Sequence, residues 1–275
     1  MRVSVLMPVY NEVATITEAV RRVRAVPLEI QIICVDDASN DGTAEVLRAL
    51  LADGEIDDLI VHERNRGKGA AVRAAIGRAS GDVTVIHDAD LEYDPAELPR
   101  LIEPIRNGRA DAVFGSRFTG QTHRVLYYWH SLGNHLLTML SNMATNLNLT
   151  DMETCYKMVK TDLMKSLPLT SDRFGIEPEL TARLAQSGAR IYEVAITYSG
   201  RTYAEGKKIG WKDGAAALWH IVRSNFLSKK APRYVTQVPA LPSTRLTGAA
   251  PHPAPGASSS TSEIGPQHPA YGARG

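Results

Sequence analysis

An α/β protein with a mostly parallel sheet covered by helices on both faces is the fold class that this sequence predicts, on three observations. Short apolar runs rich in β-branched residues alternate with amphipathic helical segments across the first hundred residues. Each run ends in polar or acidic residues, at the strand ends where open parallel sheets bind their ligands. Past residue 115 the pattern gives way to long apolar helical stripes, and past residue 231 to a Pro, Ser, Ala and Gly mixture without any period. The expected organisation is therefore one domain over 1–230, closed by amphipathic helices, and a disordered tail over 231–275.

Taken in order, Val3 to Met7 reads as a buried strand, and Pro8-Val-Tyr10-Asn11-Glu12 as its loop, because Pro8 lacks the N–H of a central ladder. Thr15 and Glu18 have capping-box spacing ahead of a helix carrying Ile16, Ala19, Val20 and Val23. Ile30 to Val35 gives a second strand, and a helix with Val46, Leu47, Leu50 and Leu51 comes after the polar stretch Asp36 to Thr43. Leu59 to Val61 is a third strand, followed by Asn65-Arg66-Gly67-Lys68-Gly69 and an alanine-rich helix to about Ala79. The fourth strand, from Val83, ends in Asp88-Ala89-Asp90. Pro95 opens a helix, and Ala110 to Gly115 is a strand before Ser116-Arg117-Phe118. Trp129, Leu132, Leu136, Leu140, Met143 and Leu147 then form one apolar stripe at three- and four-residue spacing, whose usual fate is core and whose rarer fate is a lipid-facing surface. Thr154 to Val159 reads as a strand, Pro178 to Gln186 as a helix and Ile191 to Tyr198 as a strand. A polar loop, Arg201 to Gly210, leads to a last amphipathic helix through Trp211, Ala215, Leu218, Trp219, Val222 and Phe226, closed by Lys229 and Lys230, whose plain reading is docking on the sheet and whose aromatic face and basic end also suit an interfacial helix.

Composition narrows the function. The 275 residues are 44% hydrophobic, enough for a sizeable core, and Lys+Arg 31 against Asp+Glu 30 leaves no global positive field, so no nucleic-acid partner is expected. Cys34 and Cys155, far apart in sequence, argue against a disulfide framework and fit a reducing compartment. The first residues lack the parts of a signal peptide and no apolar run has membrane-spanning length, so a cytoplasmic protein is expected, soluble or peripheral on a membrane surface.

Two carboxylates one residue apart at a strand end suit a hard divalent cation, which accepts one or two protein carboxylates together with the oxygens of a substrate diphosphate. An isolated D-x-D is more often a capping turn, so its neighbours decide. Gly67-Lys68-Gly69 lacks the spacing of a P-loop, and no G-x-G-x-x-G comes after a strand. Pro8-Val-Tyr-Asn-Glu12, Val35-Asp36-Asp37-Ala-Ser39, Asn65-Arg66-Gly67-Lys68-Gly69 and Asp88-Ala-Asp90, in that order and at strand ends, resemble the family 2 glycosyltransferases with their GT-A type fold. Phe114-Gly-Ser-Arg117-Phe118, Asp151-Met-Glu-Thr-Cys155-Tyr156-Lys157 and Arg201-Thr-Tyr-Ala-Glu-Gly-Lys207 are similar to the polyprenyl-phosphate branch, typified by dolichyl-phosphate mannosyl- and glucosyltransferases. Two departures concern the sugar: Ala204 and Gly206 stand where the branch has a glycine and a serine, and Thr154-Cys-Tyr-Lys157 where mannosyl enzymes often have a serine, glycine and phenylalanine. The Q-x-x-R-W of processive synthases is absent from the sequence, which favours single transfer.

The resemblance implies Pro8, Tyr10 and Glu12 around the nucleoside and Asp37 close to the base or ribose. It implies Asp88 and Asp90 on Mg2+ or Mn2+, with Glu92 a weaker third ligand, and Arg117 on the acceptor phosphate. Arg201 and Lys207 would neutralise the donor diphosphate, with Lys68 assisting, although a lysine near a helix start is more often solvated. It also implies a nucleotide-sugar donor and a polyprenyl phosphate acceptor, with inversion at the anomeric carbon. A phosphate monoester is substantially a dianion near neutral pH and attacks without a base. A hydroxyl acceptor would need one, for which Glu177 and Glu179 are candidates and helix capping the bland alternative. A non-catalytic nucleotide-sugar sensor, displaying its apolar helices to a partner, is the reading from another class.

Overall fold

Strands β1 (Arg2–Val9), β2 (Glu29–Asp36), β3 (Asp58–Val61), β4 (Val83–Ile86), β5 (Ala112–Ser116), β6 (Lys157–Lys160) and β7 (Ile191–Ala195) make one sheet, ordered β3-β2-β1-β4-β6-β5-β7, in the computed structural model of the chain. Residues 1–119, 124, 127–201 and 211–235 are described, 211–213 by their backbone alone. Helices α1 (Ile16–Arg24), α2 (Thr43–Ala52), α3 (Lys68–Arg78) and α4 (Leu98–Arg106) connect the strands from β1 to β5 in right order for a parallel α/β sheet. Val3, Val5, Leu6, Met7, Ile32, Ile33, Cys34, Val35, Val83, Val85 and Ile86 are all buried, as strands covered on both faces require. Ile16, Ala19, Val20 and Val23 of α1 are buried at the expected period, each larger side chain contributing about 1.5–3 kcal/mol by leaving water.

β6 is the exception to the parallel pattern. It runs antiparallel to both β4 and β5, with Val83 opposite Lys160 and Ala112 opposite Val159. The strand is shorter than expected, Thr154 to Tyr156 forming its approach, and it leads straight into an unanticipated helix α6 (Thr161–Ser166). Reversal has a positional consequence. The approach to an antiparallel strand lies at the edge where its parallel neighbours end, so residues 151–156 arrive beside the carboxyl ends of β4 and β5.

Three local expectations change. β1 continues through Pro8 and Val9 along β2, whereas its pairing with β4 stops at Leu6. Leu6 O accepts from His87 N on the β4 side and Val9 O from Asp37 N on the β2 side, so the N–H that Pro8 lacks would point past the end of the β4 ladder. The capping box does not form: the Thr15 hydroxyl bonds Glu12, and Glu18 is held by Arg21 and Arg22.

The third change takes the rarer of the two fates expected for the apolar stripe. The stripe on α5 (Tyr128–Thr145) faces outward, with Trp129 76% and Met143 75% exposed and Leu132 and Leu136 also exposed, while Thr138 (3%) and Ser141 (1%) are buried. The Thr138 hydroxyl accepts from Met152 N, and Asn142 bonds both N and O of Leu149, so polar groups are the ones this helix uses to dock. α8 (Trp211–Val222) packs against α5 and α7 (Ile176–Ser187) through Ala217 and Ile221, leaving Leu218, Trp219, Val222 and Phe226 exposed, the last in a π-helical turn over Arg223–Leu227. No helix among the described residues is long and apolar enough to cross a membrane. Of the expected tail, residues 231–235 are described and bound to the domain, Tyr234 through its N to Ser187 O and its hydroxyl to Asp162, while 236–275 lie outside the described residues.

Candidate active site

The ends of β1, β2 and β4 meet at one edge, and each turns through a left-handed residue that is not glycine: Asn11 (φ 54°), Ala38 (φ 60°) and Leu91 (φ 63°). Left-handed backbone costs an ordinary L-residue about 1–2 kcal/mol, and such strain concentrates where side chains must be aimed. At Leu91 the chain doubles back so that Glu92 N donates to Asp90 Oδ1 at 3.1 Å.

Both aspartates of the D-x-D hold a cation of the protein. Lys68 Nζ, on the first residue of α3, is 2.8 Å from Asp88 Oδ2 and 2.8 Å from Glu177 Oε1 at the start of α7. Burial alone would raise the Asp88 carboxyl, but the Lys68 ammonium outweighs it and holds it below the ordinary carboxylate range. Asp90 is pushed up to about 7, first by burial and then by the charges of Asp88 and Glu92. Arg201 opposes this, its Nη2 3.1 Å from Asp90 Oδ2 and 3.5 Å from Glu12 Oε1, its Nε 3.4 Å from Glu92 Oε1. Glu92 is otherwise engaged, accepting from the Tyr198 hydroxyl at 2.6 Å and from Arg201 N at 2.9 Å. Among the described residues no three His, Cys, Asp or Glu side chains converge as a preformed metal cage. Two adjacent carboxylates with a surplus of negative charge nonetheless fit a hard cation that brings diphosphate oxygens with it.

Asp37 is buried and saturated by protein donors: Oδ1 by His62 Nδ1 (2.7 Å) and Arg66 N (2.9 Å), Oδ2 by Gly67 N (2.6 Å). Its carboxylate thus shapes the Asn65-to-Gly69 loop from within. Gly67 needs its left-handed φ of 92°, and a Cβ there would lie 2.6 Å from Asp172 O, so the glycine lets the 171–173 segment close over α3 and seat Lys68. Tyr10 lies half-open at the mouth of this edge and Glu12 beside Arg201.

Arg117, at the end of β5, forms a bidentate pair with the fully buried Asp151, Nε to Oδ2 at 2.6 Å and Nη2 to Oδ1 at 2.8 Å. Its guanidinium stacks near Phe118 and Tyr198, and Asn134 of α5 bonds both partners. Nη1 donates to none of the described residues. Glu153, two residues beyond Asp151, was not singled out by sequence reasoning, for which a glutamate between buried neighbours in the 151–157 motif was the available signal. Burial, then the charge of Glu177, pushes its carboxyl up to about 7. Glu177 is at the site, whereas Glu179 is consumed by Thr170, Ser171 and Arg183 and holds structure. Lys207 lies outside the described residues.

Comparison with known proteins points the same way. The family model described as "Glycosyl transferase family 2" matches residues 4–167. The chain is 32% identical over 231 residues to an undecaprenyl-phosphate mannosyltransferase of Micrococcus luteus, covering 79% of this chain and 92% of that protein. It is 30% identical over 210 residues to an undecaprenyl-phosphate 4-deoxy-4-formamido-L-arabinose transferase of Pseudomonas aeruginosa, covering 74% of this chain but only 60% of that one. Among solved structures, the glucosyl-3-phosphoglycerate synthase of Mycobacterium tuberculosis, in complex with Mn2+, UDP and glucosyl-3-phosphoglycerate, matches with a TM-score of 0.63 at 20% identity over 82% of this chain and 81% of that one, a likeness of fold.

Proposed function

The chain belongs to glycosyl transferase family 2, and we propose that it transfers a hexose from a nucleotide-sugar donor to a polyprenyl phosphate, once per acceptor and with inversion. One observation carries the acceptor. Asn134 bonds the Arg117–Asp151 pair from the same helix whose Trp129, Leu132 and Leu136 stand exposed, so an apolar surface begins beside an arginine, at the carboxyl end of β5, whose Nη1 donates to none of the described residues. A lipid chain lying along that surface would bring its phosphate to Nη1. The outward faces of α5 and α8 suit the boundary of a bilayer, where tryptophans and apolar side chains rest at headgroup depth.

In this reading the donor lies across the ends of β1, β2 and β4, with Tyr10 and Glu12 at the nucleoside and Asp37 holding the loop beneath it. Asp88 and Asp90 would hold Mg2+ or Mn2+, which when bound stabilises the charge developing on the departing diphosphate. Arg201 relinquishes Asp90 and moves with the diphosphate, its guanidinium suited to paired phosphate oxygens, and Lys207 is proposed to join it. Glu92, bonded to Arg201 N and the Tyr198 hydroxyl, orients Arg201 and stands as the weaker third ligand. The acceptor phosphate, largely dianionic near neutral pH, attacks the anomeric carbon without a protein base.

A donor panel of UDP- and GDP-hexoses, incubated with polyprenyl phosphate and Mg2+ or Mn2+, is expected to yield sugar extractable into organic solvent. Turnover on glycan or small-molecule hydroxyls with none on the lipid phosphate would move the function to the alternative acceptor, and binding without turnover on any acceptor would make the protein a sensor.

A further inference from the structure

Two carboxylates on the floor of this site each keep an oxygen without a donor. Glu177 is only 6% exposed and spends Oε1 on Lys68, while its Oε2 is buried and has no partner. Glu153 Oε1 is likewise buried and unpartnered. Glu177 joins the D-x-D through Lys68, which also holds Asp88, and Glu153 stands two residues from the Asp151 that pairs with Arg117, within the field of Glu177. Lys157 does not neutralise them by contact, since its ammonium donates to Met152 O and Thr154 O. Lys68 is already shared between Asp88 and Glu177. Proteins rarely leave buried acceptors unpaired, and an unpaired acceptor at a site is explained when the ligand brings the missing donor.

The chemistry of these two oxygens selects the donor group. A metal is a poorer match here than at the D-x-D, because Glu153 and Glu177 come from separate segments and are not two carboxylates spaced one residue apart at a strand end. A phosphate or carboxylate would meet like charge. Hydroxyls match: each donates one hydrogen to a carboxylate oxygen and carries no charge. We propose that Glu153 and Glu177 read hydroxyl groups of the donor's sugar and thereby confine the enzyme to neutral hydroxylated hexoses, excluding uronates. This rests on the transferase reading above, but it assigns specificity to residues that reading does not use.

The test is calorimetric and omits the acceptor. Wild type, Glu153→Gln and Glu177→Gln are titrated in Mn2+ with UDP, UDP-glucose, UDP-glucuronate and UDP-glucose deoxygenated at one position at a time, and with GDP, GDP-mannose and its deoxy series. In one series the wild type should bind the hexose nucleotide more tightly than its diphosphate, and lose about tenfold or more on removal of one particular hydroxyl. Glu153→Gln should lose that increment with the intact sugar and nothing further with the deoxy analogue, while its affinity for the bare diphosphate stays as in wild type. UDP-glucuronate should bind no better than UDP. Equal losses from deoxygenation in wild type and both variants, a uronate bound as well as the hexose, or a sugar that adds nothing to either diphosphate would each overturn the inference. A protein that passes this test yet glycosylates no polyprenyl phosphate loses only its acceptor assignment, and one that glycosylates the lipid but fails the test loses only the hydroxyl readers.

Discussion

Asp90 and Glu153 are the residues at which charge is least comfortable, and each supports a prediction. Asp90→Asn keeps the size and the Glu92 N–H contact but removes a charge that would stabilise the leaving diphosphate, so transfer should fall by about two orders of magnitude or more with an unchanged circular dichroism spectrum. Full activity of that variant in chelator would remove the metal role from this strand end. Glu153 makes a pH prediction whose sign comes from its raised carboxyl. Below about 4.5 the group is protonated folded and unfolded alike; between 4.5 and about 7 the unfolded chain ionises while the fold retains the proton, so stability drains away as pH rises. Above 7 the carboxylate sits charged in a buried place near Glu177 and Asp151, offset in part by Lys157 and Arg117. Glu153→Gln should therefore raise the melting temperature at pH 8 by several degrees and hardly at pH 5, at about 2–4 °C per kcal/mol for a domain of this size. A pH-independent difference would show that Glu153 titrates as an ordinary glutamate. Because the variant is expected to gain stability, a loss of sugar affinity in it cannot be put down to unfolding.

Among elements, α5 shows where pattern and structure part. Periodicity located the helix and its apolar face, and for α1 the same logic gave the buried residues correctly. For α5 it could not say which side meets the domain, because hydroxyls and amides dock there through specific bonds, Thr138 to Met152 and Asn142 to Leu149, that only the fold brings within reach. Met143→Glu should leave melting unchanged, whereas Ser141→Leu, at a fully packed position, should destabilise by roughly 1–3 kcal/mol. The opposite ranking would return the stripe to the core. Trp219→Glu should fold normally and reduce co-sedimentation with vesicles, since Trp219 is exposed. The D-x-D, the loop motifs and the parallel half of the sheet were legible because each is local: a run, a turn, a spacing. The pairing of Arg117 with Asp151 and the arrival of Glu153 were not, since both depend on β6 running antiparallel to β4 and β5, which no local run, turn or spacing signals.

For the whole molecule the domain boundary is the open quantity, and the hydrogen bonds move it past 231. Arg183 Nη1 donates to Lys229 O at 2.6 Å, Gln186 accepts from Ala231 N, and Tyr234 bonds Ser187 and Asp162, so the chain is tied to α7 as far as Tyr234. Ending the protein after Val235 should preserve both melting and transfer, because residues 236–275 are rich in Pro, Ser, Ala and Gly and poor in the apolar surface that offsets ordering. Ending it after Lys230 should lower the melting temperature by a few degrees, through loss of the Tyr234 bonds and the half-buried surface they hold. A large loss with the longer truncation product would mean that 236–275 belongs to the folded unit.

The inverted dress of α5, amides inward and tryptophan outward, makes the surrounding medium a component of the protein. In plain buffer that face and its neighbour on α8 must find some other apolar surface, so preparations without detergent or lipid are expected to self-associate with rising concentration, and a mild detergent to return them to single chains. Stability and activity measured in water alone would then describe a molecule missing part of its solvent.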